Sequence, residues 1–317
     1  MDRLSLHPWL GIPGKRRARN IVIKQVLEIS AEPAHLAVRR KQLLIQRNGK
    51  TVAQSPCEDI GIVVVDHPQT TYTHNALDQL AKSDAVLVIC GSDHLPSALL
   101  LPLSDHSQVV WRVQSQISVP LPICKQLWRQ IVVEKILSQA RNLPPDYPAH
   151  KKLVALSKLV RSGDPQNIEA QAAKLYWQNW LWQDEFRRDA NGPGLNGFLN
   201  YGYAIVRAAI ARAIVSAGLL PSLGLHHCNR SNMFCLADDL IEPLRAIVDD
   251  RVREMYRQGY SELNQHAKAT LIEVLTSRAE IGDTTGPLMV ALHQYVGSLV
   301  KCYSRQAKKL EFPRSCL

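Results

Sequence analysis

The sequence predicts an α+β fold, with a small, mostly β N-terminal domain over residues 1–105 and a larger all-α domain over residues 106–317. Before residue 104 the apolar residues come in short runs rich in Val and Ile, a pattern typical of strands. After residue 106 they recur at helical spacing over much longer stretches. With 317 residues and 46% hydrophobic content, the chain is long enough to bury a core.

The first part contains strand patterns, one hairpin signal and one short helix. The predicted strands are residues 20–29, 42–46, 51–53, 60–65, 86–90 and 96–103. Asn48-Gly49 separates two of them and favours a tight hairpin turn, because both residues tolerate positive φ. Residues 73–82 have helical spacing, with Thr73 or His74 near the N-cap.

The second part is predicted to be helical throughout. The predicted helices cover residues 108–140 with a break at 119–122, 164–180, 203–219, 236–257, 266–278 and 287–309. Asp164-Pro165 predicts a helix start, with Asp as the N-cap and Pro at the first helical position. The glycines and proline of residues 191–194 predict a break before the next helix.

Charge and cysteine content narrow the functional classes. The formal net charge is +10, and residues 1–50 alone carry eleven Lys or Arg against three Asp or Glu, including the cluster Lys15-Arg-Arg-Ala-Arg19. This excess favours a polyanionic partner such as nucleic acid, although a solvated basic surface would give the same count. Seven scattered cysteines do not form a disulfide framework, and we find neither a signal peptide nor a membrane span. We therefore expect a cytoplasmic protein that contacts no membrane.

The most informative segment is residues 224–245, which contains two histidines followed by three carboxylates. Asp238, Asp239 and Glu242 stand three and four positions apart, so one helix would gather them on a single face. Carboxylates placed together repel each other unless a cation lies among them, and a nearby imidazole is a further metal ligand. A metal site within a basic protein indicates phosphodiester chemistry. A zinc site formed by His226, His227, Cys228 and Cys235 is disfavoured, since this segment lacks the closely spaced cysteine pairs of structural zinc sites.

Three motifs of the second part resemble the family of CRISPR-associated protein one, the integrase of spacer acquisition. They are Glu169 followed by Ala172-Ala173 and Tyr176, Gly224-x-x-His227, and Asp239-Leu-Ile-Glu242-Pro-Leu-Arg245. Residues 111–116, 127–137 and 199–203 resemble its type II branch, and the length and N-terminal extension favour II-C over II-A. The resemblance spans nearly the whole chain and is strongest from 111 to 245. Ala170, Leu244 and Ala246 depart from the family pattern without affecting a proposed ligand.

The resemblance implies a set of site residues. Glu169, His227 and Glu242 would bind a divalent metal, Mg²⁺ or Mn²⁺, and be catalytic. Asp239 would be an adjacent acid, either assisting or lying behind the ligands, and Asn200 would support the site. The metal would stabilise the charge that develops when a DNA 3′-hydroxyl attacks a phosphodiester. Basic residues near the site that would contact DNA are Arg207, Arg212 and Arg245.

The simpler interpretation of each residue remains open at this stage. Glu169 alone would be a favourable acid in the first turn of a helix, and Glu242 would pair with Arg245 on a solvated helix face. His226 is interpreted as a structural loop residue. The conjunction of three motifs in family order favours the catalytic interpretation over these alternatives.

The resemblance also implies partners and competing functions. Two attacks on opposite strands require two active sites, which implies a homodimer, prespacer and leader–repeat DNA, and a small second adaptation subunit that bridges two dimers. The type II effector nuclease is a further implied partner. The alternatives are a DNA-binding scaffold subunit with an idle site and a related mobile-element integrase. Genes beside a repeat array and a small partner gene would favour adaptation, whereas inverted repeats would favour a mobile element.

Overall fold

A computed structural model describes residues 24–103, 106–181 and 184–316 of the chain. The strands are β1 (Gln25–Ile29), β2 (His35–Arg39), β3 (Gln42–Arg47), β4 (Lys50–Pro56), β5 (Ile60–Val65), β6 (Thr71–Tyr72), β7 (Val86–Cys90), β8 (Pro96–Leu100), β9 (Arg278–Ile281), β10 (Thr284–Pro287) and β11 (Arg314–Ser315). The helices are α1 (His74–Lys82), α2 (Val109–Ile117), α3 (Leu121–Arg141), α4 (Pro148–Leu159), α5 (Ile168–Trp177), α6 (Leu195–Ser216), α7 (Cys235–Ile241), α8 (Arg245–Arg257), α9 (Gln265–Ile272) and α10 (Leu288–Tyr303). The α+β fold class, with strands first and helices after, is confirmed.

The strand-rich part is built on a four-stranded sheet with the order β1-β5-β7-β8. The first three strands are parallel and β8 is antiparallel to β7. Every residue of β5 is buried, as expected for a strand covered on both faces. Ile62 and Val64 join the core of the helical part, whereas Val63 and Val65 pack towards α1 and the second sheet. The predicted strands at 60–65 and 86–90 are therefore confirmed with their bounds.

The second sheet has the order β4-β3-β2-β6 and contains the predicted hairpin. Asn48 and Gly49 connect β3 to β4 with φ of 49° and 72°, as the tight turn requires. Thr73 caps α1 by accepting a hydrogen bond from the amide of Ala76, as predicted. Strand β2 was not predicted. The basic cluster at 15–19 and the start of the predicted strand at 20–29 lie outside the described residues.

The helical part differs from the prediction in several bounds. Helix α6 begins at Leu195, eight residues before the predicted start, and α10 ends at Tyr303 rather than at residue 309. Helix α4 was not predicted. The prediction of an all-α second domain also omits a three-stranded sheet with the order β10-β9-β11. Its hairpin turn contains Gly282 at φ 56°, in a stretch that was predicted as the end of one helix and the loop before the next.

The predicted helix over 236–257 is interrupted at its centre. Helix α7 ends at Ile241, residues Glu242–Leu244 form a 3-10 turn, and α8 then begins. The cause is Pro243, which has no amide hydrogen for the next α-helical bond and restricts the residue before it.

Helix α6 is the central helix of this part. Its length and composition would allow it to cross a membrane, and it is the only such helix among the described residues. Because 78% of its most apolar window is buried inside the protein, it has the surroundings of a core helix.

Candidate active site

Helix α3 carries the residue that joins the two glutamates of the candidate site. Lys135 lies on α3 and is 8% exposed, and its ammonium contacts both Glu169 and Glu242. The distance from Lys135 Nζ to Glu169 Oε1 is 2.5 Å. Two glutamates that are 73 positions apart in the sequence therefore meet at one nitrogen atom.

Glu242 is held as a carboxylate by two cations. Arg245 donates from Nε to Glu242 Oε1 at 2.9 Å, and Lys135 contacts Oε2. Burial alone would raise the pKa of Glu242, but Arg245 and Lys135 outweigh burial and lower the pKa to about 2. Arg245 also lies over the ring of Tyr203, 4.5 Å from its centroid. Glu242 is therefore ionised and fixed in position.

Glu169 is placed by the start of α5. Both carboxylate oxygens of Asp164 accept backbone hydrogen bonds there, from Ile168 at 3.0 Å and Glu169 at 2.9 Å. Asp164 was predicted to cap this helix as the N-cap residue itself, but the helix begins at Ile168 and Asp164 caps it from three residues before Asn167, the N-cap residue. Asp164 is therefore the capping residue, as predicted, but it does not stand at the N-cap position. A turn over residues 164–167 brings its side chain back to the start of the helix.

Asp239 organises the loop that carries His227. It is fully buried, and its carboxylate accepts amide hydrogen bonds from Leu225 at 2.6 Å and His226 at 3.0 Å. It also contacts His227 Nδ1 at 2.6 Å. This hydrogen bond raises the pKa of His227, with smaller contributions from the charges of Glu242 and Glu169. The bond fixes the ring and leaves Nε2 as the nitrogen available to a ligand.

Gly224 is required where this loop turns back on itself. A Cβ atom at this position would lie 2.3 Å from the backbone oxygen of His227 and 2.8 Å from Asp239 Oδ2. The Gly-x-x-His spacing thus has a steric cause, since only glycine permits the loop to close over Asp239.

Trp128 lies two turns before Lys135 on α3 and supports the same loop. Its ring stacks on His226 with centroids 4.3 Å apart and meets the edge of His227 at 5.6 Å. His226 is therefore a structural loop residue, as interpreted from the sequence. The side chain of His227 is 48% exposed, that of Glu169 27% and that of Glu242 9%, so the site opens to solvent on the side of His227 and Glu169.

The residue types of this site suit a hard divalent cation. Two carboxylates and one imidazole nitrogen are ligands that Mg²⁺ or Mn²⁺ accepts, and both glutamates already reach one common point. That point is taken by the ammonium of Lys135. No three His, Cys, Asp or Glu side chains converge as a ready metal site within 24–103, 106–181 and 184–316.

Comparison with known proteins identifies the family. The protein family described as "CRISPR associated protein Cas1" has a model that matches residues 27–278 of this chain. The chain belongs to the Cas1 family. It is 38% identical over 283 residues to the CRISPR-associated endonuclease Cas1 of Neisseria meningitidis serogroup C, an alignment that covers 88% of this chain and 92% of that protein.

Solved structures share the fold of this Cas1-family chain. A casposase bound to an integration product has a TM-score of 0.72 at 19% identity and covers 90% of this chain and 92% of its own. A Cas6-RT-Cas1–Cas2 complex has a TM-score of 0.74 at 16% identity and covers 98% of this chain and 38% of its own. The resemblance deduced from the motifs is confirmed at the level of the family.

The three carboxylates of residues 238–242 do not share a face in this Cas1-family protein. Asp238 pairs with Arg207, Asp239 holds the histidine loop, and Glu242 contacts Lys135 and Arg245. The expectation that they gather around one cation was wrong, because the helix ends before Glu242 and each carboxylate has its own partners.

Two of the predicted DNA contacts have structural partners instead. Arg212 is 3% exposed and bonds to Asp84 and His293, so the prediction that it faces DNA is wrong. Arg207 forms a two-pronged ion pair with Asp238 at 2.6 and 3.1 Å, which ties α6 to α7.

Asn200 contacts residues other than the proposed ligands, and the two cysteines of the histidine segment differ in burial. Asn200 bonds to Arg188 and to the carbonyl of Ala190, so it holds the 188–190 segment. None of its hydrogen bonds reaches Glu169, His227 or Glu242. Cys235 is buried as expected for a packed thiol, whereas Cys228 is exposed.

Lys135 was missed by reasoning from the sequence. It stands in a helical pattern beside Ile131, Val132 and Ile136, all of which are buried. A lysine on the buried face of a helix needs a carboxylate partner, and that was the available signal. The identity of the partners was not accessible, since they lie 34 and 107 residues away.

Proposed function

We propose that this protein is a metal-dependent DNA integrase and endonuclease of CRISPR adaptation. It inserts prespacer DNA into a CRISPR array by attack of a 3′-hydroxyl on a phosphodiester. The observation that carries this proposal is that Glu169 and Glu242, which are distant in the sequence, meet at one atom, and that His227 lies near enough for their charges to affect its pKa. Membership of the Cas1 family and the relative named as an endonuclease support it.

Each residue has a defined task in the proposed reaction. Glu169, Glu242 and His227 Nε2 would hold Mg²⁺ or Mn²⁺, which when bound supplies positive charge at the reacting phosphate. Asp239 keeps His227 oriented through Nδ1, and Arg245 keeps Glu242 ionised. Because transesterification exchanges one phosphodiester for another, no covalent protein nucleophile is required.

The proposed assembly follows from the two strands of the target. Insertion of a duplex needs two attacks, so two copies of this site must act together in a homodimer. A small second subunit bridges two dimers, a proposal supported by the fold likeness to the Cas1 part of a solved Cas1–Cas2 complex. Residues 1–105 would provide dimer and subunit contacts, and 106–317 would provide catalysis. The effector nuclease is a further proposed partner, and the cytoplasm the proposed location.

The test is a strand-transfer assay on gels. Labelled prespacer, a leader–repeat plasmid and the small subunit are incubated with Mg²⁺ or Mn²⁺ and with wild type, His227→Ala or Glu242→Ala. We expect joined product that depends on the metal and is lost in both variants, while DNA binding is retained.

Two results would contradict the proposal. If wild type binds DNA but joins nothing with either metal, the protein acts as a scaffold with an idle site. If the variants join DNA as well as wild type does, the assignment of the site residues fails. A gene neighbourhood with inverted repeats and no repeat array would favour a mobile-element integrase.

A further inference from the structure

Lys135 occupies the position that a metal bound by the two glutamates would take. Its ammonium contacts Glu169 Oε1 and Glu242 Oε2 at once, and 8% of the residue is exposed. A buried lysine is stabilised only by close opposite charges. Lys135 meets this requirement, because both carboxylates pair with its ammonium.

The charges at this point are already balanced. Two carboxylates, Glu169 and Glu242, face two cations, Lys135 and Arg245. A divalent ion added to this group would bring two uncompensated positive charges next to the buried side chains of Lys135 and Glu242. Because like charges about 4 Å apart near a protein surface repel each other strongly, the ammonium and the metal exclude each other.

We propose that Lys135 is a built-in competitor of the catalytic metal, which holds Glu169 and Glu242 together in the metal-free protein and must leave them when the metal binds. This inference rests on the proposed function, because it assumes that these glutamates are metal ligands. A lysine suits the task, since its four-carbon stem is flexible and its ammonium acts as a point charge. Arg245 contacts the other oxygen of Glu242 and remains in place.

The competition has a consequence for substrate binding. The displaced ammonium needs a new anion close to the site, and a DNA phosphate placed against the metal supplies one. Metal and DNA therefore bind cooperatively in the wild type, each more tightly in the presence of the other. Lys135 is a positioning residue that couples the two ligands.

The experiment measures Mn²⁺ binding by calorimetry without DNA, using the full chain. Lys135→Met keeps the length of the side chain and removes its charge. The matched control is Lys268→Met, which removes a buried lysine that pairs with Asp66 outside the site. We expect Lys135→Met to bind Mn²⁺ at least tenfold more tightly than wild type, about 1.4 kcal/mol or more. Lys268→Met should bind within twofold of wild type.

The outcomes separate this inference from the proposed function. If wild type binds Mn²⁺ and Lys135→Met binds it equally or more weakly, the inference fails and the metal site stands. If neither protein binds Mn²⁺, the inference and the proposed metal site fail together. A shift of the same size in Lys268→Met would also overturn the inference, because loss of any buried lysine would then suffice.

A second measurement uses wild type alone and does not depend on the folding of the variant. Crystals soaked in Mn²⁺ reveal the ion through its anomalous scattering. We expect a peak between Glu169 and Glu242, with the ammonium of Lys135 withdrawn from both carboxylates. A peak at the glutamates with Lys135 still in contact with both would overturn the proposal.

Discussion

Asp239→Asn tests whether one buried carboxylate organises the loop that carries His227. The substitution keeps the shape of the side chain but replaces one oxygen with an amide nitrogen, which cannot accept hydrogen bonds. Asp239 Oδ2 accepts from the amides of Leu225 and His226, and Oδ1 accepts from His227 Nδ1. Whichever way the amide is turned, at least one buried donor of the loop loses its acceptor and faces another donor.

The magnitude follows from these contacts. A buried donor left without a partner costs about 1–3 kcal/mol, and hydrogen bonds to a charged acceptor are worth about 1.5–3 kcal/mol. Asp239 is 0% exposed, so water cannot replace the lost partner. We expect the free energy of unfolding to fall by about 3 kcal/mol. Activity should fall roughly 10- to 100-fold, because the ring of His227 loses the contact that orients it.

The assay combines urea unfolding, followed by tryptophan fluorescence, with the strand-transfer rate under folded conditions. The matched control is Asp238→Asn, the same chemical change one residue earlier. Asp238 is partly exposed and pairs with Arg207, so its loss should cost only about 1 kcal/mol. Equal unfolding midpoints for the two variants, or a wild-type rate in Asp239→Asn, would refute the assigned role of Asp239.

Three further predictions concern other parts of the structure. Gly224→Ala should reduce strand transfer at least tenfold, because the added Cβ would lie 2.3 Å from the backbone oxygen of His227. A wild-type rate would contradict this steric argument. Arg212→Met should lower the free energy of unfolding by about 2 kcal/mol in urea titrations, because a buried ion pair is broken. Its DNA affinity, measured by fluorescence anisotropy, should equal that of wild type. Weaker DNA binding would instead support the contact with DNA that was predicted from the sequence. Burial raises the pKa of Asp249 to about 7, so its stabilisation is fully present below pH 4 and is lost as pH rises through 7. The stability advantage of wild type over Asp249→Asn should therefore shrink by about 2–3 kcal/mol between pH 5 and 8 in urea titrations, and a constant difference would show that Asp249 is ionised throughout.

The sequence predicted those elements whose signal is local. Strands β5 and β7 were predicted with their bounds because a continuous apolar run between polar residues suits a strand buried on both faces. The turn at Asn48-Gly49 was predicted because two residues sufficed to indicate it. Strands β9 and β10 were missed because their four-residue stretches lie almost entirely in a predicted loop between two helices, and pairing with each other and of β9 with β11 makes them strands.

The prediction of the site was likewise limited to features with a local signal in the sequence. The motifs gave Glu169, His227 and Glu242, because residue type and spacing are local, and the structure brings the two glutamates together at Lys135. Helical spacing failed for the carboxylates, since it assumes a continuous helix and Pro243 ends it. Arg245 and Asp239 lie near their partners in the sequence, whereas Lys135 is distant from both glutamates that it contacts.

Lys135 illustrates why partners distant in the sequence carry the chemistry of this site. A metal site needs carboxylates that stay ionised and close together, yet two buried carboxylates repel each other before the metal arrives. An internal cation removes that repulsion and keeps Glu169 and Glu242 in place in the metal-free protein. If the proposed metal site is correct, the same cation opposes the metal, and we expect the site to bind that metal weakly until substrate arrives. We expect such weak binding to limit cleavage of DNA outside the proposed complex, since the site would become complete only where a DNA phosphate pairs with the displaced ammonium of Lys135.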